Sequence, residues 1–79
     1  MTRYCITKID KDGMRTLATA NQGRCFCLTE QDAKVYLEAI LSNNSADTLK
    51  SVYGDTSRME VRPVECWESG DAKSIYFDA

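Results

Sequence analysis

Four cysteines are the most chemically versatile residues of this 79-residue sequence, since thiolates bind metals, form disulfides and act as nucleophiles. Cys25 and Cys27 lie in a segment with strand-like alternation, so their sulfur atoms point to one face roughly 6.5 to 7 Å apart, whereas zinc sites typically use tighter pairs on turns. A disulfide needs an oxidising compartment, and no signal in the sequence directs the chain to one. We therefore predict four structural cysteines without a metal, and the sequence leaves a redox role open: Cys5, Cys25, Cys27 and Cys66.

The triplet Glu65-Cys66-Trp67 holds the residues best suited to acid–base or nucleophilic catalysis. Consecutive strand residues point to opposite faces of a sheet, so Glu65 is badly placed to activate the thiol of Cys66. The sequence contains no histidine, the most common general base, and its four glycines are too far apart to form a phosphate-binding loop. We predict that the protein is not an enzyme and has no catalytic residue, no cofactor and no cofactor-binding residue.

An acidic turn at residues 10–13 resembles the start of a calcium-binding loop. Aligning Gly13 with the glycine of that pattern places Lys8 at the first ligand position and Thr19 at the last. Both positions require a carboxylate, so the calcium site is excluded. Glycine suits the positive φ of a tight turn, and we predict a β-hairpin here.

Alternating apolar and β-branched residues predict a three-stranded antiparallel meander over residues 4–9, 14–20 and 24–28. Thr29 suits the N-cap of an amphipathic helix over residues 30–42. The two asparagines that follow are typical of a left-handed helix stop, Asn44 or Ser45 can cap a second short helix, and Gly54 ends it.

A further strand is predicted over residues 58–67, but its apolar residues change face across Pro63. Because proline donates no hydrogen bond, this strand lies at an edge of the sheet or contains a bulge. Residues 74–78 form a last strand or a docked tail. The predicted fold is a two-layer α+β domain of order β-β-β-α-α-β-β that spans residues 1–79, with no linker or second domain.

Both faces of the predicted meander are partly apolar, and one helix covers only one of them. The other face must be covered by the C-terminal segment with Trp67, Ile75 and Phe77, by a second copy of the chain, or by another partner. We predict a homodimer, the usual outcome for a self-complementary patch of this kind, built on five residues: Cys5, Ile9, Leu17, Cys25 and Cys27.

Aromatic residues near the C-terminus are the candidates for partner contact, because aromatic side chains are enriched at interface hot spots. They are Trp67, Tyr76 and Phe77, with Arg62 and Glu65 as a polar rim. Packing in the core of a single chain is the other interpretation of the same aromatic residues.

Charge is unevenly distributed, since residues 1–24 carry five basic and two acidic residues and the remainder carries five and ten. Three strands followed by a helix, with Phe26-Cys27-Leu28-Thr29 leading into Ala33, resemble the DNA-binding domains of phage integrases over the first 42 residues. That resemblance implies that the sheet face opposite the helix enters the major groove, with Arg3, Arg15 and Arg24 as contacts. Nucleic-acid binding is thus the alternative function.

No apolar stretch approaches the roughly 20 residues of a membrane span, and the first residues show no signal segment. We therefore predict a cytoplasmic protein. The sequence favours a small non-enzymatic binding or regulatory module that acts through protein contacts or a small ligand, and it identifies no particular ligand, partner or biological process.

Overall fold

The computed structural model describes residues 1–21, 27–74 and 76–78. Four strands form one antiparallel sheet in the order β3-β1-β2-β4, accompanied by two helices. The elements are β1 (Thr2–Ile9), β2 (Arg15–Leu17), α1 (Glu30–Asn43), α2 (Ala46–Tyr53), β3 (Glu60–Glu65) and β4 (Tyr76–Phe77), with short 3₁₀ turns at Thr19–Asn21 and Thr56–Arg58. This is the α+β class that the sequence predicts, although the sheet differs in detail.

The first hairpin forms as predicted. Gly13 adopts a φ of 81°, and the carboxylate of Asp10 accepts hydrogen bonds from the backbone N–H groups of Asp12 (2.9 Å) and Met14 (3.0 Å). The side chain of Asp10 thus satisfies two backbone donors in the turn, the role that aspartate commonly plays there.

The predicted three-stranded meander is wrong in detail. β2 has only three residues, and a 3₁₀ turn follows it. Of the predicted third strand, residues 24–26 lie outside the described residues, and Cys27 makes a single antiparallel bridge in which the Tyr4 N–H donates to the Cys27 carbonyl (2.9 Å). The neighbours of β1 and β2 in the sheet, β3 and β4, come instead from the end of the chain.

Asn21 explains why β2 is short. Its side chain is buried, accepts from the Ile6 N–H (3.2 Å) and donates to the carbonyls of Ile6 (2.7 Å) and Ala18 (2.9 Å). The side-chain amide of Asn21 therefore makes the hydrogen bonds to Ile6 that a further residue of β2 would have made. The chain can leave the sheet here while the buried N–H of Ile6 keeps a hydrogen-bond partner.

Both helices begin as predicted. The hydroxyl of Thr29 accepts from the Asp32 N–H (3.1 Å) at the start of α1, and Ser45 caps α2, which ends at Gly54 with a φ of 76°. The expected left-handed stop after α1 is wrong, since Asn44 has a φ of −127° and donates its side-chain N–H to the Ile40 carbonyl (2.8 Å). Among the described residues, no helix has the length and apolar character needed to cross a membrane.

Pro63 lies on an edge strand, as predicted, and the pairing of β3 with β1 runs without a bulge from Glu60 to Glu65. The apolar residues change face because both faces of the sheet are packed. Met59 packs with Ile6 on the helical side, whereas Val64 packs on the opposite side.

The two faces of the sheet build two apolar clusters. On the helical side the members are Ile6, Ala18, Met59, Leu37, Ile40 and Tyr53. On the opposite side they are Cys5, Val64, Cys66, Leu17, Ala72 and Phe77. The chain's own C-terminal segment therefore covers much of the second face, which removes the uncovered sheet as the basis of the dimer prediction. Trp67 stays 56% exposed, outside this cluster, and Ile75 lies outside the described residues.

The cysteines do not all carry free thiols. Cys5 and Cys27 are free and buried, whereas Cys66 is disulfide-bonded, which corrects our expectation for that residue. Burial raises the pKa of the Cys5 thiol to about 12, with a further contribution from Cys27. No group of residues suited to hold a metal ion occurs in the described ranges. Cys25 lies outside them.

A candidate binding cleft between β3 and β4

The chain that follows β3 joins the two edges of the sheet at one end. After a turn in which the Trp67 N–H donates to the Asp71 carbonyl (2.9 Å), residues 72–74, here called the return segment, run back beside β3. Ala72 bridges Cys66, and the Lys73 N–H donates to the Glu65 carbonyl (2.9 Å). The chain then reaches the other edge, where β4 pairs with β2.

Beyond the return segment, the two edges leave a space between them. This β3–β4 cleft has a volume of about 530 Å³, within the usual range of ligand sites. Its walls combine apolar, aromatic and charged side chains: Met14, Arg62, Pro63, Tyr76, Phe77 and Asp78. Three of the five predicted contact residues, Arg62, Tyr76 and Phe77, therefore meet in one place.

A shared carboxylate holds Arg62 in the wall of the cleft. The Arg62 Nε donates to Oε2 of Glu60 (2.8 Å), and Oε1 of Glu60 lies 3.7 Å from Nη2 of Arg15. The hydrogen bond from Arg62, and secondly the charge of Arg15, hold the pKa of Glu60 below its ordinary value. Two guanidinium groups and one carboxylate leave this Arg15–Glu60–Arg62 trio with one net positive charge.

Arg15 is the buried anchor of the trio, with only 4% of its side chain exposed. Its Nη1 donates to the Thr7 hydroxyl (2.9 Å) and to the Arg58 carbonyl (3.0 Å), while its Nε has no partner among the described residues. Arg62 is 28% exposed, and in the described part of the chain only its Nε is bonded. The two Nη atoms of Arg62 are therefore available to an incoming acceptor.

The outer edge of β3 offers backbone groups beside the cleft. Tyr4 and Ile6 direct their backbone groups away from β3, toward Cys27, Ala18 and Asn21. Because antiparallel ladders alternate, the odd residues of β1 bond β3 and their partners there are Glu60, Arg62 and Val64. Val61 and Pro63 consequently point their backbone groups outward, and Pro63 sits where its missing N–H costs no ladder bond.

At the edge of β4, in contrast to that of β3, the backbone groups of Tyr76 already have hydrogen-bond partners. The Tyr76 N–H donates to the Ser74 hydroxyl (3.2 Å), and that hydroxyl donates to the Tyr76 carbonyl (3.3 Å). Among the described residues at the two edges, the open backbone groups therefore include those of Val61 and Pro63 on β3, whereas those of Tyr76 on β4 are bonded to Ser74.

Glu65 and Trp67 lie outside the lining of the cleft, next to the turn and the return segment. Glu65 accepts from the Thr2 hydroxyl, the first cause of its lowered pKa, and lies 3.5 Å from the N-terminal ammonium group. The ammonium group of Lys73 lies 4.6 Å from the ring centre of Trp67, a cation–π distance. Sequence reasoning missed Met14, Pro63 and Asp78 as contact residues, because the long-range pairings of β3 with β1 and of β4 with β2 place them together.

The residues proposed for nucleic-acid contact are arranged differently. Strand register places Arg3 and Arg15 on the sheet face opposite the helices, separated by six positions along β1, or about 20 Å. The guanidinium of Arg15 is buried in the bonds described above, and Arg3 donates to the Thr2 carbonyl (3.2 Å). Arg24 lies outside the described residues.

A second cavity of about 570 Å³ lies between α2 and the Thr56–Arg58 turn. Of its charged groups, the Asp55 carboxylate already accepts from the N–H (3.0 Å) and hydroxyl (2.6 Å) of Ser57. It is thus already bonded within the turn, and this cavity holds none of the residues predicted for partner contact.

Comparisons of the chain with protein-family models, with curated proteins and with solved structures find no match.

Proposed function

We propose that this chain is a small non-enzymatic binding module that takes up an extended segment of a protein partner in the β3–β4 cleft. The observation that carries the proposal is the outward-facing edge of β3 at Val61 and Pro63, directly beside a cleft that β4 closes on its far side. Addition of an extended segment to such an edge is a common mode of peptide recognition.

The return segment supports this mode, because it already pairs with one end of β3. The Lys73 N–H donates to the Glu65 carbonyl, and the chain then crosses to the other edge of the sheet, where β4 pairs with β2. An added segment would continue the same edge past Lys73, where the Val61 N–H and the carbonyls of Val61 and Pro63 have no partner among the described residues. Main-chain bonds of this type provide affinity without requiring a particular sequence.

Specificity would come from the side chains of the cleft. Tyr76 is 56% exposed, Phe77 is half-buried, and Met14 is exposed beside them. Aromatic side chains bury a large area at little cost in conformational entropy, and methionine adapts its shape to different partners. The contact role predicted for Tyr76 and Phe77 is retained in this proposal.

The non-enzymatic part of the proposal rests on the chemistry of the cleft walls. Arg62 and Asp78 are the charged side chains lining it, and neither is a strong nucleophile at neutral pH. Cys5, a free thiol on the same sheet face, is buried with a raised pKa and so is a poor nucleophile.

Selection from a phage-displayed library of random heptapeptides tests the proposed function. We expect selected peptides to bind the Tyr76→Ala variant about tenfold more weakly, as for an aromatic hot spot. Trp67→Ala is the matched control, since Trp67 is equally exposed but lies outside the cleft, and it should retain the binding. Failure to select any peptide, or binding that depends on Trp67 and not on Tyr76, would overturn the proposal.

Two expectations from the sequence remain predictions. Light scattering at micromolar concentration tests the homodimer, which is lost if only the mass of one 8.9 kDa chain is found. Titration with generic duplex DNA tests nucleic-acid binding, which should weaken steeply with added salt if basic side chains carry it.

A further inference from the structure

We propose that the segment bound in the β3–β4 cleft carries a single acidic side chain, whose carboxylate pairs with Arg62. This inference rests on the proposed function and names the chemistry of its ligand. It starts from the Arg15–Glu60–Arg62 trio, whose net positive charge lies at the wall of the cleft.

The trio orients Arg62 before any ligand arrives. Glu60 holds the Nε of Arg62 at 2.8 Å, and Glu60 itself lies against the buried Arg15. Because Glu60 bonds only the Nε of Arg62, both Nη atoms remain able to donate a pair of hydrogen bonds to one carboxylate. Because Arg62 is already restrained, less side-chain entropy is lost when the carboxylate binds.

Strand register places the acidic residue. In an added strand, the residue directly opposite Arg62 points to the same face of the sheet as Arg62, within cross-strand pairing distance. Val61 and Pro63, the residues with outward backbone groups, flank Arg62 on both sides. The main-chain bonds of the added segment would therefore set its acidic side chain beside the Nη atoms.

Asp78 limits the charge of the segment. Its carboxylate lines the same cleft and forms no ion pair with Arg62 within 4 Å in the described part of the chain. A dianionic group, such as a phosphate, or a run of acidic residues would be repelled by Asp78. Because Asp78 offsets the net charge of the trio, a single carboxylate would be held by the directed hydrogen bonds from the two Nη atoms of Arg62, and its neighbours in the segment would be neutral.

Two blocked pentapeptides test the inference, acetyl-Thr-Val-Glu-Val-Thr-amide and its glutamine counterpart, with binding followed by backbone amide shifts of the whole chain. We expect the glutamate peptide to bind about tenfold more tightly, a difference of ~1.4 kcal/mol. Arg62→Gln should abolish this preference. Arg3→Gln, which removes one positive charge from the same sheet face at a residue that does not line the cleft, should leave it intact.

Equal binding of the two peptides, with shifts at Val61 and Tyr76, would overturn the carboxylate inference while supporting the proposed function. A preference that survives Arg62→Gln, or is lost equally in Arg3→Gln, would also overturn it. Tighter binding of the phosphoserine counterpart would show that the site selects phosphate instead. The proposed function is contradicted as well if neither peptide shifts the amide resonances of the cleft residues and the heptapeptide library yields no binder that depends on Tyr76.

Discussion

Replacing Asn21 by alanine tests how the short strand β2 is terminated. Asn21 is 3% exposed and makes three side-chain hydrogen bonds. The two carbonyls it bonds keep other donors, since the Ala18 N–H bonds the Ile6 carbonyl and the Asn21 N–H bonds the Ala18 carbonyl. The Ile6 N–H, in contrast, loses its partner inside the core.

The magnitude follows from that difference. An orphaned buried donor costs about 1 to 3 kcal/mol, and losing two bonds to acceptors that remain bonded adds about 1 kcal/mol. We therefore expect Asn21→Ala to lower the free energy of unfolding by about 2 to 4 kcal/mol. A domain of this size has only about 4 to 12 kcal/mol in total, so the loss is easily measured.

Urea unfolding followed by circular dichroism measures the effect, with the slope m checked for constancy. Asn44→Ala is the control, because Asn44 is exposed and bonds a single helix carbonyl. It should change the stability by less than about 0.5 kcal/mol. If Asn21→Ala is unfolded without urea, adding sucrose allows both variants to be compared in the folded state. A loss below about 1 kcal/mol for Asn21→Ala would refute the reasoning.

Three further predictions concern pH, the thiols and helix α1. The folded-state pKa of Glu60 is lowered, so its stabilising contribution is present above the ordinary carboxylate value of about 4 and is lost as the pH falls through the lower folded value. The urea midpoint should therefore fall on acidification and fall less in Glu60→Gln; equal falls would contradict this. In the native protein Cys5 should react slowly with a thiol reagent at pH 8, and in the unfolded protein it should react rapidly. Fast labelling of Cys5 in the native protein would contradict the burial of this thiol. Thr29→Ala should cost about 1 kcal/mol in urea unfolding because it removes the bond to the Asp32 N–H, and an unchanged midpoint would contradict the cap.

Local sequence signals predicted the local structure well. The glycine of the first turn, the cap at Thr29 and the glycine that ends α2 each act within a few residues, and each appears where expected. The two asparagines after α1 misled the prediction because asparagine can satisfy a helix carbonyl with its side chain as well as by a left-handed backbone.

The sheet was harder to predict because its pairing is long-range. β3 pairs with β1 across most of the chain, and β4 pairs with β2 through two residues only. The buried amide of Asn21 replaces strand pairing, a role that no residue pattern announces. The disulfide at Cys66 was not predicted, because disulfides were set aside when the sequence showed no signal for an oxidising compartment.

The candidate site was predicted in part. Aromatic residues are enriched at interface hot spots, which identified Tyr76 and Phe77, and Arg62 was named as a rim residue. Their meeting at one cleft depends on the return segment that joins the two edges of the sheet. Arg15 was assigned to nucleic-acid contact through the resemblance to phage integrase domains, whereas its burial depends on bonds to the Thr7 hydroxyl and the Arg58 carbonyl.

Hydrogen exchange at the Val61 amide tests the central claim most directly, because strand addition at β3 must engage this outward-facing group. The measurement compares the free chain with the chain saturated by a peptide from the heptapeptide selection. We predict that the peptide slows exchange at Val61 and shifts the neighbouring resonances of Arg62 and Tyr76. Unchanged exchange at Val61, with the shifts confined to α1 and α2, would contradict the account.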